Sequence, residues 1–340
     1  MRLAVLGSMP LAAVNSAWAA AKSGEVVTYV TDTHPAGIWS MEVRCQGVAL
    51  PARVERVGVG DPIVADAFLL IASREESIEL VRAYAQAMSG RPILLAPGGF
   101  ALVEAIADMI NPVATHPSAL GQLPGFPVAG DIEADGVRIR SIKRQFPVGP
   151  LHKEDSSHLL DIFRIWFPDL VESSLEETTL SNINNVIHPP VLLVNAGRTE
   201  RADGYVFYRD GMSAGASRLI DRIDEERLAL LKALDQEAVP ITGWIERYYG
   251  DQGLTGATIG EMLNTLPALA KGQGPQTLNH RFVSEDICYG LAPMEALANR
   301  IGVETPYLSS MITTFSAICG SNLRAHAPEL AQNTAFSPKN

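Results

Sequence analysis

Over residues 1 to about 150 the chain alternates short β-branched runs with helical patterns, and this alternation constrains its fold more than any other feature. Strands are expected at Leu3–Leu6, Val26–Val30, Ala67–Ile71, Ile93–Leu95 and Val137–Ile142. Helices are expected over Pro10–Lys22, Glu75–Met88 and Phe100–Ile110, and the stretch Met41–Arg56 is expected to add strands of its own. Strands separated by helices need crossover connections, which predicts a largely parallel sheet with helices on both faces. The start of the chain also imitates a secretory signal, with an apolar run to Val14 and then Ala17-Trp18-Ala19. Cleavage there would strip the first strand from a complete βαβ unit, so these residues are read as structure.

The pattern changes around Pro147-Val-Gly-Pro150 and becomes mostly helical from His158. This predicts an α/β domain over 1–150, an all-helical domain over 151–325 and a tail over 326–340. Helices are expected at Ser156–Trp166, Asp221–Leu234, Ile241–Tyr249, Ile259–Ala270, Ser284–Ile301 and Thr305–Ile318. Ser284 reads as an N-cap, Gly302 as a C-cap and Gly320 as a stop. A length of 340 residues accommodates two cores.

A net charge of −11 argues against nucleic acid or an anionic membrane as partner. Cys45, Cys288 and Cys319 are odd in number and widely spaced, which fits a reducing, cytoplasmic compartment and offers no metal site. No apolar run is long enough to span a membrane.

In parallel sheets ligands gather at the carboxyl ends of the strands. The turns there bring forward Gly7, Ser8 and Met9, then Asp32, then Ala72, then Pro97 and Gly98 as candidate cofactor residues. Asp32 follows the glycine-type turn at the offset of an acid that holds an adenosine ribose. Met9 stands where a dinucleotide fingerprint has its second glycine, the one that lets backbone approach a pyrophosphate. Later in the chain, Asn279-His-Arg-Phe-Val-Ser-Glu-Asp286 sets a guanidinium five positions before a carboxylate, and Ser181-Asn-Ile-Asn-Asn-Val-Ile-His188 sets a histidine among amides. Each has an ordinary structural reading: Asp286 and Glu285 as acids in a helix's first turn, Arg281 as a surface charge, His188 as a loop residue before two prolines. Together they form a set able to bind an anionic substrate and move a proton.

These segments carry a resemblance. Leu278–Asp286 with Ile301-Gly-Val303, Asp224-Glu-Glu-Arg-Leu228, Ser181–Asn184 with His188-Pro189, and Ser141-Ile-Lys-Arg144 resemble, in order, the octopine/nopaline (opine) dehydrogenase family. The resemblance implies a Rossmann domain followed by a helical domain. It also implies an oxidoreductase that condenses an amino acid or amine with an α-keto acid and reduces the imine with NADH or NADPH. His188 and Asp286 are then the catalytic pair, and Arg281 and Asn184 bind substrate. The imidazole would serve as general acid, the carboxylate would fix its tautomer, and the guanidinium would grip a substrate carboxylate. The expected partners are the small-molecule amino acid and keto acid, with a homodimer as the candidate assembly. Two alternatives stay open, a 2-oxo or 2-hydroxy acid dehydrogenase and a non-redox binding protein on the same fold. The geometric expectation is that His188 and Asp286 lie ~3 Å apart or are joined by one water.

Overall fold

The computed structural model describes residues 1–110 and 116–330. The end of the expected tail, 331–340, therefore lies outside the described residues. The chain divides into two compact units, Met1–Gly98 with Leu102–Thr179, and Gly99–Ala101 with Leu180–Asn340.

The first unit is built on one sheet of eleven strands among the described residues. In chain order they are β1 (Leu3–Leu6), β2 (Val27–Val30), β3 (Gly37–Cys45), β4 (Val48–Val57), β5 (Ala67–Leu70), β6 (Pro92–Leu95), β7 (Ala119–Gln122), β8 (Val128–Glu133), β9 (Gly136–Ile142), β10 (Phe146–Pro150) and β11 (Leu170–Glu172). Their spatial order is β11-β10-β7-β6-β5-β1-β2-β4-β3-β9-β8. From β7 through β6, β5, β1 and β2 to β4 every pairing is parallel. Strands β1, β5 and β6 are buried at every residue, as unbroken apolar runs covered on both faces must be. The helices α1 (Pro10–Ser23), α2 (Arg74–Met88) and α3 (Leu102–Ile110) form within a residue or two of the expected ends.

The stretch Met41–Arg56 adds strands as expected, in a long antiparallel hairpin of β3 with β4 that joins the parallel sheet through β2. The first unit differs from the sequence reading in running to Thr179, past the change of pattern at Pro150. Pro147 and Pro150 lie within β10, which pairs antiparallel with β7 and parallel with β11, and α4 (Ser156–Phe163) packs against these strands. The prolines and the new helix mark a change of element inside one core, to which Leu175 of α5 (Leu175–Leu180) still belongs.

The second unit is helical: α6 (Ile183–Val194), α7 (Ala196–Glu200), α8 (Ala214–Ala233), α9 (Ile241–Tyr249), α10 (Ile259–Thr265), α11 (Arg281–Ser284), a π-helical segment Asp286–Leu291, α12 (Ala292–Ile301) and α13 (Pro306–Cys319). Gly302 and Gly320 adopt left-handed φ and end α12 and α13, as read from sequence. The Asp224–Leu228 motif in α8 turns out to be a clamp. Arg227 is buried and reaches Asp224, the Leu180 carbonyl and the Val239 carbonyl, while Asp224 accepts the Ile241 N–H that opens α9. Glu226 accepts the N–H groups of Tyr307 and Leu308, capping α13 from a distance. A buried guanidinium persists only when fully paired in this way.

Candidate active site

In the first unit, the turn from β1 into α1 carries the expected cofactor residues. Gly7 has a φ of +145°, and a side chain there would overlap the Ile71 carbonyl, so only glycine fits. Ala12, in the fingerprint's third small position, is fully buried against the sheet. Asp32 sits exposed just past β2, its Oδ1 accepting the Val59 N–H at 2.8 Å. Ala72 is buried beyond β5. Pro97 and Gly98 follow β6, where the Gly98 N–H donates to the Leu123 carbonyl and a Cβ would overlap Gln122. These positions fit an adenosine dinucleotide: a strand-to-helix turn whose first residue, Gly7, admits no side chain, a helix N-terminus, and an acid at the next strand end. Met9 departs from the fingerprint but takes an ordinary φ of −63° as the N-cap of α1, so no glycine is needed there for conformation. Lys143, from the Ser141–Arg144 segment, has its ammonium 4.6 Å over the Phe146 ring, and burial pushes its pKa down to about 7.

In the second unit, α6 and the segment 281–286 bring together the histidine and the acid. His188 lies inside α6, not in a loop, despite Pro189 and Pro190 after it. The two prolines carry no N–H, so the carbonyls of Asn185 and Val186 lose their usual helical donors. His188 is 6% exposed and Asp286 5%. Their contact is direct, Nδ1 to Oδ2 at 2.7 Å. An ionised carboxylate only accepts, so Nδ1 carries the proton. The other nitrogen, Nε2, lies 2.7 Å from the Tyr208 hydroxyl. In the neutral ring Nε2 accepts from Tyr208, and in the imidazolium it donates to it. The Phe282 ring stacks on the imidazole at 3.9 Å between centroids, and Phe207 meets it edge-on at 5.6 Å.

The cap of this segment is His280, not Ser284. His280 is extended, its Nδ1 accepts the Phe282 N–H, and α11 starts at Arg281 with Ser284 inside it. The imitation arose because Ser-Glu-Asp also opens many helices; here Asp286 instead starts the π-helical segment. Arg281 pairs with Glu285 one turn on, at 3.0 Å, so Glu285, which caps the C-terminus of α11, is an ion-pair partner and not the first-turn acid read from sequence. The Arg281 charge acts on Tyr208 and His280. Burial pushes the Tyr208 hydroxyl well above the usual tyrosine range against that charge, and burial together with that charge holds the His280 imidazole below its usual value. Asn184 is half-buried, one helical turn before His188 and on its face of α6. No spacing in the sequence ties Tyr208 or Phe207 to His188; the aromatic run Tyr205-Val-Phe-Tyr208 is the one signal it offers for them.

Residues 171–319 match the family model described as NAD/NADP octopine/nopaline dehydrogenase, alpha-helical domain. The chain is 32% identical over 147 residues to an opine dehydrogenase of Arthrobacter sp. (strain 1C), covering 43% of this chain and 40% of that protein. It is 28% identical over 191 residues to the protein ocs of Agrobacterium tumefaciens (strain Ach5), covering 55% and 52% respectively. The matches thus span about half the length of these curated relatives. Among solved structures, octopine dehydrogenase in complex with NADH and agmatine has a TM-score of 0.71 at 16% identity, covering 94% of this chain and 90% of that one. The likeness bears out the expected fold, a parallel-rich sheet domain followed by a helical domain. No helix among the described residues is long and apolar enough to cross a membrane.

Proposed function

We propose that this chain, whose residues 171–319 match the octopine/nopaline dehydrogenase alpha-helical domain model, is an NAD(P)-dependent opine dehydrogenase. It joins the amino group of an amino acid or amine to an α-keto acid through an imine, which is then reduced to a secondary amine. The observation that carries the reading is the buried 2.7 Å contact between His188 Nδ1 and Asp286 Oδ2, across 98 residues of sequence. In this reading Gly7, Ser8, Met9, Asp32, Ala72, Pro97 and Gly98 surround the dinucleotide, which supplies the hydride.

The chain's own residues do the rest. Once the amine has added to the keto carbon, the carbinolamine hydroxyl needs a proton to leave as water. His188, its Nδ1–H held by Asp286, takes up at Nε2 the proton that the adding amine gives up and passes it to that hydroxyl, and the Asp286 carboxylate stabilises the imidazolium between the two transfers. Tyr208 holds Nε2 on that side, and Phe282 and Phe207 shield the ring from water. Arg281 grips the keto acid's carboxylate, its guanidinium kept in place by Glu285. Asn184, on the His188 face of α6, offers an amide to the same substrate. A cytoplasmic compartment, supported by three free cysteines, and a homodimer belong to the same proposal.

The test is His188→Ala. Turnover is expected to fall by ~10²–10⁴-fold, the usual worth of a positioned general acid. Undiminished turnover would remove His188 from the mechanism.

A further inference from the structure

The turn that would receive a pyrophosphate already holds an anion. The Glu76 carboxylate accepts the Ser8 N–H at 2.6 Å, across 68 residues of sequence. Local sequence gives Glu76 another task. Ser73-Arg-Glu-Glu76 is the pattern of a capping box, in which the glutamate folds back onto the cap residue's own N–H. The serine half is made, with Ser73 Oγ accepting the Glu76 N–H at 3.2 Å, but the glutamate half is not. In α10 of the same chain both halves form, Thr258 with Glu261, so the open box at α2 is particular to this place. The reason lies in the sheet. β1 and β5 are parallel neighbours, and Gly7 approaches the Ile71 carbonyl so closely that the turn after β1 abuts the turn before α2.

The rest of the turn has few donors to spare. Pro10 has no N–H, and the Ala12 N–H donates to the Met9 carbonyl at 2.8 Å. With Ser8 taken by Glu76, Met9 and Leu11 are the remaining amides of the turn. A second anion entering here would meet the first, and like charges at contact distance exclude one another.

We propose that Glu76 occupies the anion position of this turn and that a dinucleotide's pyrophosphate binds by displacing it, so that Glu76 sets the chain's affinity for its cofactor. This rests on the cofactor reading above. The relevant experiment is equilibrium titration of the full chain and of Glu76→Ala and Glu76→Gln with NADH, NADPH and adenosine, following ligand fluorescence or heat. Thermal unfolding of each variant reports whether α2, which loses a first-turn acid, still folds. Glu79→Gln, on an exposed position of α2, controls for a general loss of negative charge.

Glu76→Ala is expected to bind NADH or NADPH about tenfold more tightly than the native chain, equivalent to ~1.4 kcal/mol. Glu76→Gln, neutral but still an acceptor, is expected to fall between, and Glu79→Gln to match the native chain. Adenosine, which lacks the pyrophosphate, is expected to gain nothing. Equal or weaker dinucleotide binding by both Glu76 variants would overturn the proposal and leave the cofactor reading standing. A gain for adenosine as large as that for NADH would also overturn it. If neither native chain nor variant binds either dinucleotide, the cofactor reading itself is overturned, and this inference with it.

Discussion

His188 is held on four sides: Asp286 at Nδ1, Tyr208 at Nε2, Phe282 against one face and Phe207 at the edge. The two hydrogen bonds have different jobs. Asp286 fixes which nitrogen carries the proton, whereas Tyr208 fixes where the other nitrogen points. Tyr208→Phe keeps the ring and removes only the hydroxyl. It is expected to lower kcat about tenfold, the worth of one hydrogen bond made to the working nitrogen, with KM for the keto acid nearly unchanged. A variant with native kcat would show that Tyr208 only fills space. At this scale the sequence was partly legible. His188, Arg281 and Asp286 could be picked out by residue type, order and family resemblance, and the direct contact between His188 and Asp286 was anticipated. Tyr208 was not, because a tyrosine twenty positions after a histidine has no periodic relation to it. The contact of Glu76 with Ser8 is hidden in the sequence for the opposite reason. The local pattern around Glu76 has a sound local meaning that the neighbouring turn overrides.

Elements that depend on local punctuation were the most legible. The left-handed glycines at 302 and 320, the apolar runs of β1, β5 and β6, and the amphipathic helix α2 are each decided within a few residues. The elements around His188 were harder. A diproline normally argues against a helix, yet α6 continues through it, and an expected single helix from Ser284 is instead α11, a π-helical segment and α12. The π-helical segment sets Asp286 against α6, and the fit is close at one point. A Cβ at Gly290 would overlap the side-chain amide of Asn185, whose Nδ2 would lie 2.6 Å away. Gly290→Ala is therefore expected to destabilise the second unit by ~1–3 kcal/mol, as overpacked cores are. It is also expected to reduce turnover by displacing Asp286 from His188. Denaturant unfolding and a kinetic assay check this together; native values in both would show that the segment gives way freely.

At the scale of the whole molecule, the order of a parallel-rich sheet unit followed by a helical unit could be read from hydrophobic periodicity alone. The point of division could not. Pro147–Pro150 looks like a linker, but it pairs into the sheet as β10, because strand pairing is decided by partners distant in sequence. The Asp224–Leu228 motif, which carries part of the family resemblance, likewise proved to hold helices together through Arg227 and Glu226. A matrix of amines and α-keto acids monitored by NADH and NADPH oxidation tests the proposed reductive condensation directly. The prediction is oxidation that requires an amine and a keto acid together and yields a secondary-amine product of their combined mass, less water and plus two hydrogens. Oxidation with a keto acid alone, yielding its 2-hydroxy acid, would contradict the claim, as would no oxidation with any pair.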